Sequence, residues 1–301
     1  MNHRILPARH EFILRLSDHR RRAGWARFRR RTLVVDSGNS RAALIPNTHN
    51  YPAFSGISGP NLLKKLRAQA SQYGAESRAG CVRSLDRHGE EFVAVMTDET
   101  AVTAPKVILA TGIVDEKPNL PGMREFIYRG RVRFCPICDG YEAMDQHIAV
   151  IGLFKPALKK AIFLRTYSRR VTLLLMADVG PSRQDLRLLQ EADVELRRAP
   201  VVDLLEQNDH VKAVLADGTS LVPDVLYPAM GCRVRSDLAL PLGANHDDIG
   251  SLLTGGDQLT SVPGLYAIGD ITTELHQLSV SVGQAAIAAT HIHNHLPRND
   301  R

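Results

Sequence analysis

A chain of 301 residues with 44% hydrophobic and 23% charged content has the size for two ordinary domains and the composition of a soluble globular protein. No apolar run approaches the roughly 18–20 residues that span a bilayer, so no membrane helix is expected. The formal net charge is +6, yet residues 1–31 hold ten Arg against Glu11 and Asp18, which leaves the rest of the chain at −2: the charge is a local tract, not a property of the body.

That tract has no apolar segment or small-residue cleavage site and does not read as a secretory signal. Its abundance of Arg and scarcity of acids match a transit peptide in composition only. No nucleic-acid-binding motif accompanies it, so neither nucleic acid nor membrane is expected as a partner.

Thr32–Asp36 is an apolar run closed by an acid and predicts a buried parallel strand with a carboxylate at its carboxyl end. Residues 59–74 carry Leu62, Leu63, Leu66, Ala68 and Ala70 on a helical face. Residues 82–98 predict a hairpin around His88-Gly89, and Val107–Ala110 another buried strand running into Thr111-Gly112. Asn119-Leu120-Pro121-Gly122 is a turn cluster suited to a domain crossing. A second alternation follows: a strand at 147–152, a helix at 157–167, a strand at 171–175, then β structure at 211–215 and 225–227 around Asp217-Gly218. Residues 264–268 return to a buried strand, and 281–295 form a small-residue helix able to pack closely. The alternation predicts an α/β fold of two doubly wound, Rossmann-like units.

Of four cysteines, Cys81 and Cys232 stand alone, while Cys135-Pro136-Ile137-Cys138-Asp139-Gly140 holds two thiols two residues apart with an acid directly after. One C-x-x-C in an α/β chain reads as redox chemistry. A zinc site needs four ligands, usually as two close pairs, and the second pair is missing, so no metal is expected. Asp139 is placed to move a proton; it would equally suit a turn before Gly140.

From Arg27 onward the chain resembles the low-molecular-weight thioredoxin reductase-like flavoproteins, through Asn50-Tyr51-Pro52, Ala110-Thr111-Gly112, the C-P-I-C-D-G hexapeptide, Gly269-Asp270, His276-Gln277 and Gly283-Gln284-Ala285-Ala286. The resemblance implies an FAD-binding domain of residues 1–117 and 246–301, interrupted by an NAD(P)-binding-like domain of residues 118–245 that carries the cysteine pair. It implies FAD, NADPH or NADH, a cytoplasmic homodimer, and a thioredoxin-like protein or small disulfide or dithiol as partner. Cys138 would meet the flavin, Cys135 would attack the substrate disulfide, and Asp139 would protonate the leaving thiolate. Asp36, Asn50, Thr111, Gly112, Gly269, Asp270 and Gln277 would serve the flavin, and Gly152 the nicotinamide nucleotide. This chain has His276 where the family has Arg.

Two stretches depart from the family. A strand running into G-x-G-x-x-G, whose glycines let a pyrophosphate approach a helix N-terminus, should open the chain. Residues 14–25 instead read LRLSDHRRRAGW. Written in permitted codons and read one base later, the same stretch gives YDCLIIGGGPAG, the expected strand and loop. The residues before about Ala26 therefore read as a frameshifted segment, which accounts for the basic tract without a nucleic-acid role. As written, Arg20, Arg21 and Arg22 fit no buried sheet, and little or no flavin binding is expected. The second departure is Gly152-Leu153-Phe154-Lys155-Pro156-Ala157, where Phe154 replaces a glycine of G-x-G-x-x-A, and Met176-Ala177-Asp178 follows the next strand without the arginines that recognise a 2′-phosphate. Asp178 would suit a ribose hydroxyl and NADH, or be an ordinary loop acid.

The leading expectation is electron flow from NAD(P)H through flavin to Cys135–Cys138 and on to a disulfide. The alternatives are a flavin-dependent dithiol oxidase or reductase that does not use NADPH, and a damaged, non-functional homologue lacking the flavin glycine loop.

Overall fold

The computed structural model describes residues 28–177, 181–272 and 275–298, together with the backbone of residues 12–16. These fall into two compact units. The first takes the chain up to Ala43, Ser58–Val114 and everything from Arg233; the second takes Leu44–Ile57 and Asp115–Cys232.

The first unit is built on a five-stranded parallel sheet in the order Leu265–Ala267, Lys106–Ala110, Phe12–Leu16, Thr32–Asp36, Glu76–Ala79. Phe12–Leu16 is its centre, paired with Thr32–Asp36 on one side and Lys106–Ala110 on the other. The flanking strands are near-continuous apolar runs, as a sheet covered on both faces requires. Helix Leu278–Asn294 lays Ala285, Ala288, Ala289 and Ile292 against Val34, Ile108, Ala110, Tyr266 and Ile268; its alanines permit the close packing that their size foretold. Helix Gly59–Gln72 starts where Ser58 accepts the Asn61 N–H with Pro60 in the first turn, and buries Leu62, Leu63 and Ala70. An antiparallel sheet of Val82–His88, Glu91–Met96 and Ala101–Ala104 contains the expected hairpin and a third strand too short to show alternation.

The second unit has a four-stranded parallel sheet in the order Glu195–Arg197, Val171–Leu175, Ile148–Gly152, Val225–Ala229. Helix Phe154–Leu164 buries Phe154, Ala157, Leu158, Ala161 and Leu164 over it. That helix begins three residues earlier than the sequence suggested, because Phe154 points into the core and joins its apolar face. Strands Val201–Gln207, His210–Leu215 and Ser220–Leu221 form a small antiparallel sheet. Its first strand escaped the sequence reading because a register shift between Val201 and Asp203 breaks the alternation.

The unit boundaries differ from the expected 117/118 and 245/246. Residues 233–245 belong with the first unit: the Arg235 N–H donates to the Gly112 carbonyl at 3.0 Å, the Thr111 hydroxyl donates to the Arg235 carbonyl at 2.5 Å, and the turn Leu240–Leu242 lies beside strand Val82–His88. Residues 44–57 belong with the second unit, where Leu44 packs on the cluster around Ile127, Ala149 and Leu226. Among the described residues no helix is long and apolar enough to cross a membrane.

Candidate active site

Within the second unit, Pro136–Asp139 makes a single helical turn with Cys135 as its N-terminal cap, and Cys135 and Cys138 are joined by a disulfide. Proline at the first helical position fixes the turn's entry, where its missing N–H costs nothing. Gly140 closes the turn where there is no room for a side chain: a β-carbon there would meet the Pro136 carbonyl and lie 2.5 Å from Tyr167 Cε2. The hexapeptide's last residue is therefore fixed by space rather than by chemistry.

Asp139 sits at the floor of this turn. The Tyr227 hydroxyl, from strand Val225–Ala229, donates to its Oδ1 at 2.9 Å, and Arg133 Nη1 donates to its backbone carbonyl at 2.6 Å. Burial pushes the Asp139 carboxyl up to about 6, with Arg133 and the Tyr227 hydrogen bond pulling down, Glu142 pushing up and Lys160 pulling down. At pH 7 about a tenth of such a group is protonated, against about a thousandth for an ordinary aspartate. Lys160 Nζ donates to the carbonyls of Phe134 at 3.0 Å and Pro228 at 2.6 Å, tying the approach to Cys135 to the strand that carries Tyr227. Beyond Asp139, Glu142 Oε1 meets His49 Nδ1 at 2.6 Å, and His49 Nε2 lies 3.0 Å from Asn47 Nδ2. Asn50 is in the same segment, exposed, with its Oδ1 accepting from Thr48; it therefore falls in the second unit, not the first. The sequence reading missed Tyr227, Arg133 and Lys160. A tyrosine in an otherwise apolar, wholly buried strand was the available signal, since its hydroxyl must find a partner.

The first unit gathers the other residues along the carboxyl ends of its parallel strands, the edge where such sheets receive nucleotides. Asp36 ends one strand; its Oδ1 accepts from the Gly38 N–H at 2.9 Å and its Oδ2 from Arg67 at 3.2 Å. Thr111 and Gly112, both buried, follow strand Lys106–Ala110. Gly269 and Asp270 follow the neighbouring strand. Gly269 has φ +76° and its N–H donates to Gln284 Oε1 at 2.6 Å, while the fully buried Asp270 carboxylate meets Arg41 Nη1 at 3.3 Å. Gln277 caps helix Leu278–Asn294 with its backbone. A strand-end carboxylate, a left-handed glycine and a buried acid on one edge fit the ribose and phosphate of an adenine dinucleotide. Residues 17–25, which stand where the family has its glycine loop, lie outside the described residues, as does Asp178.

The corresponding edge of the second unit fits less fully. Gly152 closes strand Ile148–Gly152 where a β-carbon would overlap the Ala229 carbonyl, so packing between strands alone demands glycine. Phe154 is buried, Leu153 is exposed, and Lys155 in the first helical turn is bound to both oxygens of Asp185 at 2.7 and 2.9 Å. A helix N-terminus remains to receive a phosphate, but the glycine that allows close approach is absent and no arginine stands at Met176-Ala177.

Two dinucleotide-type α/β units and a C-x-x-C disulfide followed by a desolvated acid define the class of flavin-linked dithiol–disulfide oxidoreductases. The model of the family described as pyridine nucleotide-disulphide oxidoreductase matches residues 26–288, and the chain belongs to that family. It is similar to the thioredoxin reductases of Listeria innocua and Listeria monocytogenes, each 28% identical over 269 residues that cover 85% of this chain and 83% of theirs. Among solved structures, that of HlmI is 28% identical with a TM-score of 0.89, covering 98% of this chain and 94% of that one. The thioredoxin reductase from Streptococcus pyogenes, 24% identical with a TM-score of 0.87 over 96% of this chain and 98% of its own, shares the fold. Thioredoxin reductases are flavoprotein enzymes that use FAD and NADPH.

Proposed function

We propose that this chain passes an electron pair from NAD(P)H through FAD to Cys135–Cys138 and on to a disulfide substrate. The observation that carries the reading is the Cys135–Cys138 disulfide on a helical turn that ends in Asp139, a carboxylic acid whose pKa burial pushes up to about 6. Bound flavin supplies the electron pair that opens this disulfide. The Cys135 thiolate then attacks one sulfur of the substrate disulfide, forming a mixed disulfide and expelling the other sulfur with its electron pair. Asp139 gives that thiolate its proton. Cys138, as thiolate, attacks the Cys135 sulfur, re-forms the intramolecular disulfide and releases the second substrate thiol, protonated from solvent. Each turn consumes two electrons and two protons and yields two thiols. The chain's kinship supports a thioredoxin-like protein or a small disulfide as substrate, a cytoplasmic setting and a homodimer. Asp36, Thr111, Gly112, Gly269, Asp270 and Gln277 would hold the flavin, and Gly152 would lie at the nicotinamide nucleotide.

A second reading is favoured by Phe154: oxidation of a dithiol with electrons leaving through flavin to oxygen, without NADPH. Anaerobic mixing of FAD-loaded protein with NADPH and with NADH separates the two. Rapid loss of the oxidised-flavin band with either donor, followed by disulfide turnover, supports the reductase. A flavin that neither donor reduces, but a dithiol does, overturns it in favour of the oxidase.

A further inference from the structure

Tyr227 is fully buried in a strand whose every residue is buried. Phenylalanine would fill the same space without burying a hydroxyl, so the hydroxyl needs a reason. Among the described residues it is the only hydrogen-bond donor to the Asp139 carboxyl group, at 2.9 Å from Oδ1. It also lies 3.2 Å from the Asp139 backbone carbonyl, but Arg133 Nη1 serves that oxygen at 2.6 Å, which directs the single hydroxyl proton to the carboxylate.

We propose that Tyr227 is a positioning residue for proton transfer at the cysteine pair: its hydroxyl occupies Asp139 Oδ1, so that Oδ2 is the oxygen that carries the proton. This rests on the reading of Asp139 as the acid that protonates the leaving thiolate. Burial and the Asp139 charge hold the Tyr227 phenol far above its ordinary range, so it stays a donor throughout the working pH. The other charged groups that bear on Asp139 are Arg133, Glu142 and Lys160, with His49 behind Glu142. Arg133 and Lys160 spend hydrogen bonds on backbone carbonyls. When Oδ2 gives its proton to the departing thiolate, the new carboxylate is met by a donor already in place.

The test is Tyr227→Phe, read on reduced protein without cofactor. A single turnover with bis(2-hydroxyethyl) disulfide is followed by timed alkylation of the remaining thiols, from about pH 5 to pH 9. A parallel reaction uses 5,5′-dithiobis(2-nitrobenzoate), whose aromatic thiolate leaves without needing a proton. The expected result, read below about pH 6 where Asp139 is largely protonated in both forms, is an alkyl-disulfide reaction about tenfold slower relative to the aromatic one, matching one lost hydrogen bond to a charged group. The aromatic reaction stays unchanged, and the limb on which the rate falls with rising pH moves upward, since the ionised carboxylate has lost its donor. A parental profile with the alkyl disulfide, or equal slowing with both reagents, overturns the proposal. Asp139→Asn separates the two layers. If it leaves the alkyl reaction at the parental rate, the acid reading falls and takes the tyrosine with it. If it slows that reaction while Tyr227→Phe does not, the tyrosine proposal alone fails.

Discussion

The carboxyl edges of the two parallel sheets carry different remnants of one design. In the first unit the strands end on Asp36, Thr111-Gly112 and Gly269-Asp270, residues whose side chains or left-handed backbone can meet a nucleotide directly. In the second unit Gly152 is kept where the next strand leaves no room for a β-carbon, while the neighbouring glycine position is Phe154, turned into the core. A glycine that packs a strand and a glycine that admits a phosphate are thus separable. The comparison teaches that a surviving glycine is evidence for a cofactor only when the protein's own packing does not already require it.

The largest effect should come from restoring the first edge. Replacing residues 14–25 with YDCLIIGGGPAG should raise FAD affinity about a hundredfold or more, since two backbone donors on a pyrophosphate are each worth about a factor of ten. Flavin fluorescence on titration reads it. Equal affinity in the parental chain would show that the edge residues suffice without the loop. Sequencing the locus is the companion check: DNA unable to encode the glycine loop in the alternate frame removes the frameshift explanation. The family match starting at residue 26 accords with that explanation.

Next in size, Gly152→Ala should destabilise the second unit by about 1–3 kcal/mol, the usual cost of forcing atoms into a filled site. The added methyl would press on the Ala229 carbonyl, a backbone group that cannot swing away. Gly269→Ala, in the first unit, should cost about 1–2 kcal/mol, chiefly from its left-handed φ, with the Ser281 hydroxyl 3.2 Å away having to give by a few tenths of an ångström. Urea unfolding compares them. The reverse order would mean that the flavin-type edge is the more tightly packed of the two.

How much of this was legible beforehand depends on whether a residue's neighbours are near in sequence. The apolar runs Thr32–Asp36, Val107–Ala110 and Val171–Leu175 announced buried strands because a parallel sheet makes its demand locally. The hexapeptide announced a disulfide-forming pair for the same reason. Tyr227 was seen only as a strand residue, because its partner Asp139 lies 88 positions away. Helix Arg183–Glu191 is short, and its signals, a capping box of Ser182 with Asp185 and the pair Leu186 and Leu189 one turn apart, are spread over only eight residues between strands. Segment 44–57 joins the second unit through the partly buried Leu44, and a loop carries no periodic signal of which core such a residue will meet.

Lys155 and Ser182 sharpen the second edge. Lys155→Gln should raise the KM for either nicotinamide nucleotide about fivefold if the N-terminus of helix Phe154–Leu164 receives a phosphate, the loss of one partly solvated charge contact. An unchanged KM alongside intact flavin reduction would move the nucleotide away from that helix.

The smallest effect, and the control for the rest, is Ser182→Ala. Ser182 Oγ accepts the Asp185 N–H at 3.2 Å and donates to Asp185 Oδ2 at 2.7 Å, while the same oxygen accepts the Ser182 N–H at 3.0 Å. Removing the hydroxyl deletes an N-cap and should cost about 1 kcal/mol of stability. Asp185 keeps Lys155, so the first turn of helix Phe154–Leu164 is left as it was. The KM for nicotinamide nucleotide should therefore not move, although the unfolding midpoint falls. Were KM to rise as far as in Lys155→Gln, the capping box would be holding Lys155 in place for the ligand. The second edge would then be an organised nucleotide site in spite of Phe154, and its contrast with the first would narrow to the missing glycine alone.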